Sequence, residues 1–153
     1  MANTYTELYI HLIWAVKHRD RLIHPSFQEE SQKYITGIIQ NKDNKLIAIN
    51  LMPDHAHIFI GLDPVNAISN LVGVTKKSLS DYINEKKCLR GKFSWREGYG
   101  TFSYSHSQID RVIKYINNQE QDHRKKTFKE EYLKILKAFY VQYNNEYLFQ
   151  FLD

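Results

Sequence analysis

Two histidines separated by one residue precede a short apolar run. His55 and His57 flank Ala56, and Ile58 to Leu62 continue with mostly β-branched and aromatic side chains. This composition predicts a β-strand, in which residues i and i+2 point to the same face. Two imidazoles on one face of a rigid sheet can bind a divalent metal if another element supplies a third ligand. The same spacing is also common among histidines that face solvent or hydrogen-bond the backbone.

A tyrosine and a glutamine four residues apart lie on a helix predicted over residues 107–126. Tyr115 and Gln119 therefore share a face, beside an apolar stripe through Val112 and Ile116 that can pack on a sheet. A phenol with a pKa of about 10 is a poor nucleophile unless the developing charge is stabilised. A metal that polarises a phosphate would supply this stabilisation. By spacing alone, Tyr115 is more readily interpreted as one packing aromatic among 11 tyrosines.

The elements that position these side chains follow from hydrophobic periodicity and turn residues. The pattern predicts strands over 4–17, 45–52 and 55–62, a short strand within 91–105, and helices over 25–41, 67–86, 107–126 and 129–139. The turn at Met52-Pro53-Asp54 predicts an antiparallel hairpin between the second and third strands. The order β-α-β-β-α-β-α-α implies an α+β domain, with helices packed on a mainly antiparallel sheet of about four to five strands.

Length and composition restrict the class of protein. The chain has 153 residues, of which 42% are hydrophobic and 25% charged, as expected for one globular domain rather than a disordered chain. No apolar run approaches the ~20 residues of a membrane span, and the Met-Ala-Asn-Thr start lacks the features of a signal peptide. The single cysteine, Cys88, excludes an intrachain disulfide. We therefore expect a cytoplasmic protein without a membrane partner.

Positive charge is concentrated between residues 76 and 96. This segment contains seven basic and two acidic residues, so its net charge is +5, compared with +4 for the whole chain. Such a segment is expected where a polyanion binds, although a solvated lysine-rich helix and loop would have the same composition. The basic residues are Lys76, Lys77, Lys86, Lys87, Arg90, Lys92 and Arg96.

The combination of motifs resembles a known family. The His-x-His strand and a downstream helix reading Tyr-Ile-Asn-Asn-Gln are similar to the single-tyrosine HUH transposases of the insertion-sequence 200/605 group. The matching stretches are 51–60, 93–103 and 112–120, and 11–17 resembles that family's first strand. The resemblance runs from about residue 5 to beyond residue 132, with its blocks in the expected order.

The resemblance implies a role for each candidate residue. His55 and His57 match the family's two histidine metal ligands, Gln119 matches the third ligand, and Tyr115 matches the nucleophile. The mixed nitrogen and oxygen donors suit Mg²⁺ or Mn²⁺. The family cleaves and rejoins single-stranded DNA at hairpin-marked element ends, through a 5′-phosphotyrosine and a free 3′-hydroxyl. Because the phosphodiester's energy is conserved in that linkage, no nucleotide cofactor is expected.

The resemblance also implies a partner for the basic segment. Family members recognise imperfect DNA hairpins, and phosphate contacts provide affinity without sequence information. Exposed aromatics such as Trp95 or Tyr99 could stack on unpaired bases, although such residues more often pack in the core. The predicted DNA-backbone contacts are Lys76, Lys77, Arg90, Lys92 and Arg96.

The family further implies an assembly and a domain organisation. We expect a homodimer, in which the tyrosine helix serves the His pair of its own subunit or of the partner. Residues 1–153 are predicted to form one HUH transposase domain, with a helical and aromatic tail over about 128–153. This tail, which includes Glu130 and Glu131, either covers the sheet or contributes to the dimer.

Other functions fit the sequence less well. The main alternative is a domesticated, non-mobile protein of the same fold that binds hairpin DNA without cleaving it. A two-motif phosphodiesterase needs a second His-x-Thr or His-x-Ser, which His106-Ser107-Gln108 does not supply. Triple-histidine hydrolases need a third alternating histidine, where this chain has Phe59. A replication initiator or relaxase shares the chemistry, but 153 residues leave no room for its accessory domains.

Overall fold

The computed structural model describes residues 3–17, 22–123, 125–144, 146 and 148. The strands are β1 (Tyr9–Ala15), β2 (Lys45–Leu51), β3 (His55–Gly61) and β4 (Gly100–Tyr104). The helices are α1 (Pro25–Asn41), α2 (Ile68–Glu85), α3 (Ile109–Asn117), α4 (Gln119–Asp122) and α5 (Phe128–Ala138), with a 3₁₀ turn at His106–Gln108. None of the described helices combines the length and apolar character that a membrane span requires.

The four strands form one antiparallel sheet in the order β2-β3-β1-β4. With helices following β1 and β3, this is the ferredoxin-like β-α-β-β-α-β arrangement that the sequence predicted. Strand β1 is central, and its residue Ile13 lies opposite His57 of β3. The predicted α+β fold is therefore confirmed.

One face of the sheet carries the main core, formed against α1 and α2. Alternate residues of β1 and β3 point into this core because side chains of a strand alternate between faces. The apolar stripes of the two helices cover them, which removes most of the large aliphatic side chains from water. The central members are Leu12, Trp14, Ala56, Ile58, Ile60, Ile35, Ile39, Leu71, Leu79 and Ile83.

The other face of the sheet is covered by α3 and α5 through two smaller apolar clusters. Phe59 and Ala48 pack against Val112 and Ile116 of α3. Ile13, Ala15 and Phe102 pack against α5, through Phe128, Tyr132 and Leu136. The histidines of β1 and β3 share this second face, so they lie between the two clusters.

The predicted helix over residues 107–126 is wrong in one respect that matters for the site. The helix ends at Asn117 and resumes at Gln119, with Asn118 at φ −98° and ψ 16°. Asparagine competes with the helix by local hydrogen bonding, which favours such an interruption. Asn50 of β2 stabilises the end of α3, because its Nδ2 donates to the Ile116 carbonyl at 3.0 Å.

Most other boundaries differ from the predictions by one or two residues. The first strand is shorter than the predicted 4–17, and the predicted strand within 91–105 is β4. Of the aromatic tail, Tyr143 is exposed, whereas Tyr147, Phe149 and Phe151 lie outside the described residues.

Replacing Gly100 with alanine tests how tightly α5 is docked on β4. A Cβ at Gly100 would lie 2.5 Å from Tyr132 Oη and 3.0 Å from a ring carbon of Phe102. We expect Gly100→Ala to lower the free energy of unfolding by about 1–3 kcal/mol through overpacking, measured by urea denaturation. The control is Gly73→Ala on α2, where a Cβ meets nothing within 4 Å, and a gain of up to about 1 kcal/mol is expected. Equal stability of the two variants would contradict a tight contact.

Candidate active site

His55 and His57 point to the same face of β3, as the spacing predicted, and both are fully buried. The solvent-facing alternative is therefore wrong. Phe128 of α5 covers the ring of His55, with the two ring centroids 4.2 Å apart. Burial of both rings means that changing either histidine will affect the fold as well as the chemistry.

The ring of His55 is oriented by the residue before it. Its Nδ1 lies 2.7 Å from a carboxylate oxygen of Asp54, which can only accept, so Nδ1 carries the proton. The other ring nitrogen, Nε2, lies within hydrogen-bond distance of Gln119 Oε1, at 3.3 Å. Burial opposes ionisation of Asp54, but the hydrogen bond from His55 lowers the pKa of that carboxyl. Asp54 thus supports His55 in the way that outer carboxylates support metal-binding histidines.

The ring of His57 is held between a histidine and a glutamate. His57 Nδ1 lies 2.8 Å from His11 Nε2, and His57 Nε2 lies 3.1 Å from Glu131 Oε1. Burial lowers the pKa of His57 to about 4, although Glu131 opposes this shift. Burial also lowers the pKa of His11. Both rings are therefore neutral at pH 7, the form that binds metals.

Gln119 brings the tyrosine-bearing segment into contact with β3. Its buried Oε1 lies 3.3 Å from His55 Nε2 and 3.0 Å from His123 Nε2, and its Nε2 donates to Glu131 Oε2 at 3.0 Å. The sequence placed Gln119 beside the His pair through the resemblance alone. In the structure, the interruption at Asn118 and the buried hydrogen bonds aim the amide at His55.

Glu131 is a member of the cluster that the sequence reasoning did not assign to the site. It is 2% exposed, and Oε1 lies 3.1 Å from His57 Nε2, 3.3 Å from His123 Nε2 and 3.8 Å from His55 Nε2. Burial opposes ionisation, but hydrogen bonds from His123 and His57 hold the pKa of Glu131 well below its usual range. The available signal was an acid on the inward face of a helix, between Phe128 and Ile135 in an i, i+3, i+4 pattern.

The donor atoms lie close enough together to share one cation. One ligand atom from each of His55, His57 and Glu131 lies within 4.8 Å of the others, and Gln119 Oε1 adjoins them. Two donors about 2.1 Å from an ion lie about 3.0 Å apart when they are adjacent in an octahedron. The neutral imidazoles, the amide oxygen and the carboxylate form a chemically suitable set for a divalent metal. The residues therefore fit such an ion.

Tyr115 lies next to the His pair. Its ring centroid is 5.7 Å from that of His57 and 6.2 Å from that of His11, with the rings nearly perpendicular. The hydroxyl is buried beside Glu131 and Gln119, although it makes no hydrogen bond of normal geometry to any residue that the structure describes. Burial, and then the negative charge of Glu131, raise the pKa of Tyr115 above its ordinary value. The phenol is therefore protonated at neutral pH in this arrangement.

The predicted DNA-contacting residues differ in their environments. Lys76 has a local structural role, because its half-buried Nζ donates to the carbonyls of Arg96 at 2.8 Å and Gly98 at 2.9 Å. Lys77 pairs with Asp81 at 2.8 Å on the same exposed helix surface. Arg90 and Lys92 are exposed in the loop that follows.

The two aromatics of this segment also differ. Trp95 is 8% exposed and its Nε1 donates to the Lys76 carbonyl at 3.0 Å, so the suggestion that it stacks on bases is wrong. Tyr99 is 39% exposed and retains an accessible ring.

A cleft of about 750 Å³ opens beside Asp54 and His123. Its walls include Arg96 and the turn between α4 and α5, where Lys125 and Lys126 lie. Arg96 therefore lines the same cleft as Asp54 and His123, although it lies 39 positions after His57 in sequence. The cleft brings positive charge to the side of the site at which Asp54 and His123 lie.

Comparisons with known proteins agree with the fold and identify the family. The family model described as Transposase IS200 like matches residues 4–119, and the chain belongs to that family. It is 26% identical over 118 residues to the ISDra2 transposase TnpA of Deinococcus radiodurans. The aligned region covers 74% of this chain and 84% of the relative. The expected resemblance to insertion-sequence 200/605 transposases is thus confirmed, and the chain belongs to a family of DNA-cleaving enzymes.

Two solved structures share the fold. One is a crystal structure at 1.90 Å of a candidate transposase from Deinococcus radiodurans R1, with a TM-score of 0.56 and 23% identity, covering 76% of this chain and 94% of the other. The second is a REP-associated tyrosine transposase bound to a REP hairpin, with a TM-score of 0.61 and 12% identity, covering 79% and 72%. At these identities the likeness establishes the architecture, namely the HUH-type α+β arrangement.

Because the His pair is buried, we expect His57→Ala to destabilise the protein. The substitution removes the hydrogen-bond partner of both His11 and Glu131 and leaves a cavity. The free energy of unfolding should fall by about 2–4 kcal/mol in urea denaturation, since buried polar groups lose their partners. The exposed Lys77→Ala should change it by no more than about 0.5 kcal/mol. A decrease in stability no larger than that of the control would contradict the described contacts of His57.

Proposed function

We propose that this protein is a metal-dependent single-strand DNA endonuclease and strand transferase that acts at hairpin-marked element ends. The observation that supports this most directly is the buried convergence of His55, His57 and Gln119 beside Tyr115. The transposase resemblance assigns the same four residues to the metal site and to the nucleophile. Two metal-binding imidazoles, an oxygen donor and a hydroxyl nucleophile are the groups that phosphoryl transfer to tyrosine requires.

We propose that His55, His57 and Gln119 hold a Mg²⁺ or Mn²⁺ ion. The support is that His55 Nε2 and Gln119 Oε1 are 3.3 Å apart, that Asp54 orients the His55 ring through Nδ1, and that His57 is neutral. When bound, the ion would polarise a phosphate oxygen of the DNA and offset the negative charge that develops there. Asp54 would keep the ring of His55 in position through its contact with His55 Nδ1, and His11 would do the same through His57 Nδ1.

In the proposed reaction the Tyr115 oxygen attacks a DNA phosphorus. A bond forms between that oxygen and phosphorus, the bond from phosphorus to the 3′-oxygen breaks, and the phenolic proton is transferred, through solvent, to the 3′-oxygen. The products are a 5′-phosphotyrosine and a free 3′-hydroxyl. Attack by another 3′-hydroxyl reverses these bond changes and joins two strands, so no nucleotide cofactor is consumed.

The DNA is proposed to reach this site along basic surfaces. The cleft beside Asp54 and His123 has Arg96, Lys125 and Lys126 in its walls, which suits a phosphate backbone that enters the site. The exposed Arg90 and Lys92 extend the basic surface away from it. Hairpin recognition is proposed by analogy with the REP-associated relative, whose solved structure contains a REP hairpin.

We further propose that residues 1–153 act as one domain and assemble as a homodimer. Supporting the dimer, the segment after α5 exposes large apolar and aromatic side chains, with Tyr140 at 92% exposure and Val141 and Tyr143 near it. Sedimentation of the purified chain tests this directly, and a monomer at micromolar concentration would contradict it.

Replacing Tyr115 with phenylalanine tests the nucleophile. Denaturing gels of 3′-labelled single-stranded DNA from the flanks of the gene, incubated with Mg²⁺ or Mn²⁺, should show a slow covalent band for the wild type. Tyr115→Phe should abolish the band and retain DNA binding, because it removes only the attacking oxygen. The matched control, Tyr99→Phe, removes an exposed hydroxyl elsewhere and should retain the band.

Two results would contradict the proposal. Wild-type cleavage by Tyr115→Phe would remove Tyr115 from the reaction. Tight hairpin binding by the wild type without any covalent band would instead favour the domesticated, non-mobile binding protein.

The basic segment should separate binding from stability. Lys92→Ala should weaken binding of a DNA hairpin and make binding less dependent on salt, because removing one phosphate contact reduces the slope of log K against log[salt] by about 1. Its stability should stay within about 0.5 kcal/mol of the wild type. Lys76→Ala should instead destabilise the fold, because the carbonyls of Arg96 and Gly98 lose their donor. Fluorescence anisotropy and urea denaturation measure the two quantities, and unchanged hairpin affinity of Lys92→Ala would contradict the assignment.

A further inference from the structure

The carboxylate of Glu131 lies at the centre of the buried cluster, although the residue belongs to a different part of the chain from the matched transposase motif. The family match ends at residue 119, whereas Glu131 lies on α5. Its Oε1 nevertheless lies as close to His57 Nε2, at 3.1 Å, as Gln119 Oε1 lies to His55 Nε2, at 3.3 Å. The segment beyond the family match therefore contributes a donor to the same site.

Glu131 is the negatively charged group that faces the two imidazoles. Asp54, the other carboxylate in contact with the cluster, binds Nδ1 of His55 on the side away from Gln119 and has a side chain that is 52% exposed. Glu131 is 2% exposed, and its two oxygens contact His57, His123 and Gln119. A buried carboxylate stabilised by neutral or weakly basic partners is a strong attractor for a cation.

Packing on both sides fixes the position of Glu131. Phe128, one helical turn before it, stacks on the ring of His55, and Tyr132 packs on Phe102 of β4. Thr127 caps the helix, with its hydroxyl oxygen accepting from the Glu130 amide. The carboxylate is thus presented from a rigid helix rather than from a loose tail, as precise metal sites require.

We propose that Glu131 is a fourth protein donor to the metal ion, so that α5 is part of the catalytic centre as well as a cover for the sheet. This inference rests on the proposed function for the identity of the site. Two imidazoles, an amide oxygen and a carboxylate form an N₂O₂ set with one negative charge. Such a set binds a divalent cation more tightly than the neutral set of His55, His57 and Gln119, because the Glu131 carboxylate adds one negative charge to it.

The test is Mn²⁺ binding to the purified, DNA-free chain. Electron paramagnetic resonance of free Mn²⁺ and isothermal titration calorimetry measure this binding. Glu131→Gln preserves the size of the side chain and removes its charge. We expect its Mn²⁺ affinity to fall at least about tenfold, the size of effect that removal of even an outer partner of a metal ligand produces. Glu131→Asp, which retains the charge on a shorter side chain, should bind more tightly than Glu131→Gln.

Two further variants control for the site and for the fold. Glu130→Gln removes the same charge from the adjacent position of α5, where the side chain is exposed, and should bind Mn²⁺ like the wild type. Gln119→Ala removes one proposed donor from the other segment and should weaken binding as well. Circular dichroism at the titration temperature establishes whether each variant is folded. If Glu131→Gln does not fold, Glu131→Asp still tests the role of the carboxylate.

The outcomes separate this inference from the proposed function. Wild-type Mn²⁺ affinity in Glu131→Gln, together with weaker binding in Gln119→Ala, would overturn the role of Glu131 and leave the metal site intact. Faster DNA cleavage by Glu131→Gln at unchanged metal affinity would also overturn it and identify the carboxylate as a block at the site. No Mn²⁺ binding by the wild-type chain would overturn both proposals together.

Discussion

The burial of polar side chains on one face of the sheet is the constraint on which the rest of the structure depends. His11, His55, His57, Gln119 and Glu131 are all within 2% of complete burial, so each must find a partner inside the protein. They satisfy one another, through contacts from 2.7 to 3.3 Å that join β1, β3, α4 and α5 with Asp54 and His123. Among the described residues, buried polar atoms without a hydrogen bond of normal geometry include His11 Nδ1 and the hydroxyl oxygen of Tyr115.

This constraint explains why the second face of the sheet has two small apolar clusters rather than one continuous core. Phe59 with Ile116 on one side, and Ile13 with Tyr132 on the other, leave a polar strip between them. The flanking apolar contacts hold α3 and α5 at a distance at which their polar residues meet the histidines. The large core on the opposite face supplies the apolar burial that such a polar strip does not.

Electrostatics then divides the roles within the strip. Burial keeps His11 and His57 neutral, whereas hydrogen bonds from His57 and His123 keep Glu131 ionised. The same negative charge adds to the effect of burial on Tyr115 and favours the protonated phenol. The buried negative charge of Glu131 therefore favours a nearby cation, and a cation bound there would offset the effect of Glu131 on the phenol of Tyr115.

The sequence alone was enough to determine the strand that carries His55 and His57, the face that they share, and the order of elements in the α+β fold. These features depend on strand alternation and helical periodicity, which are visible within a few neighbouring residues. The family motif determined that Tyr115 and Gln119 accompany them. The tertiary structure decided the burial of the pair, the break at Asn118, and the structural use of Lys76 and Trp95. It also decided that Glu131 joins the site, although it lies 74 positions after His57 in sequence, since the docking of α5 depends on contacts between distant segments that no local pattern encodes.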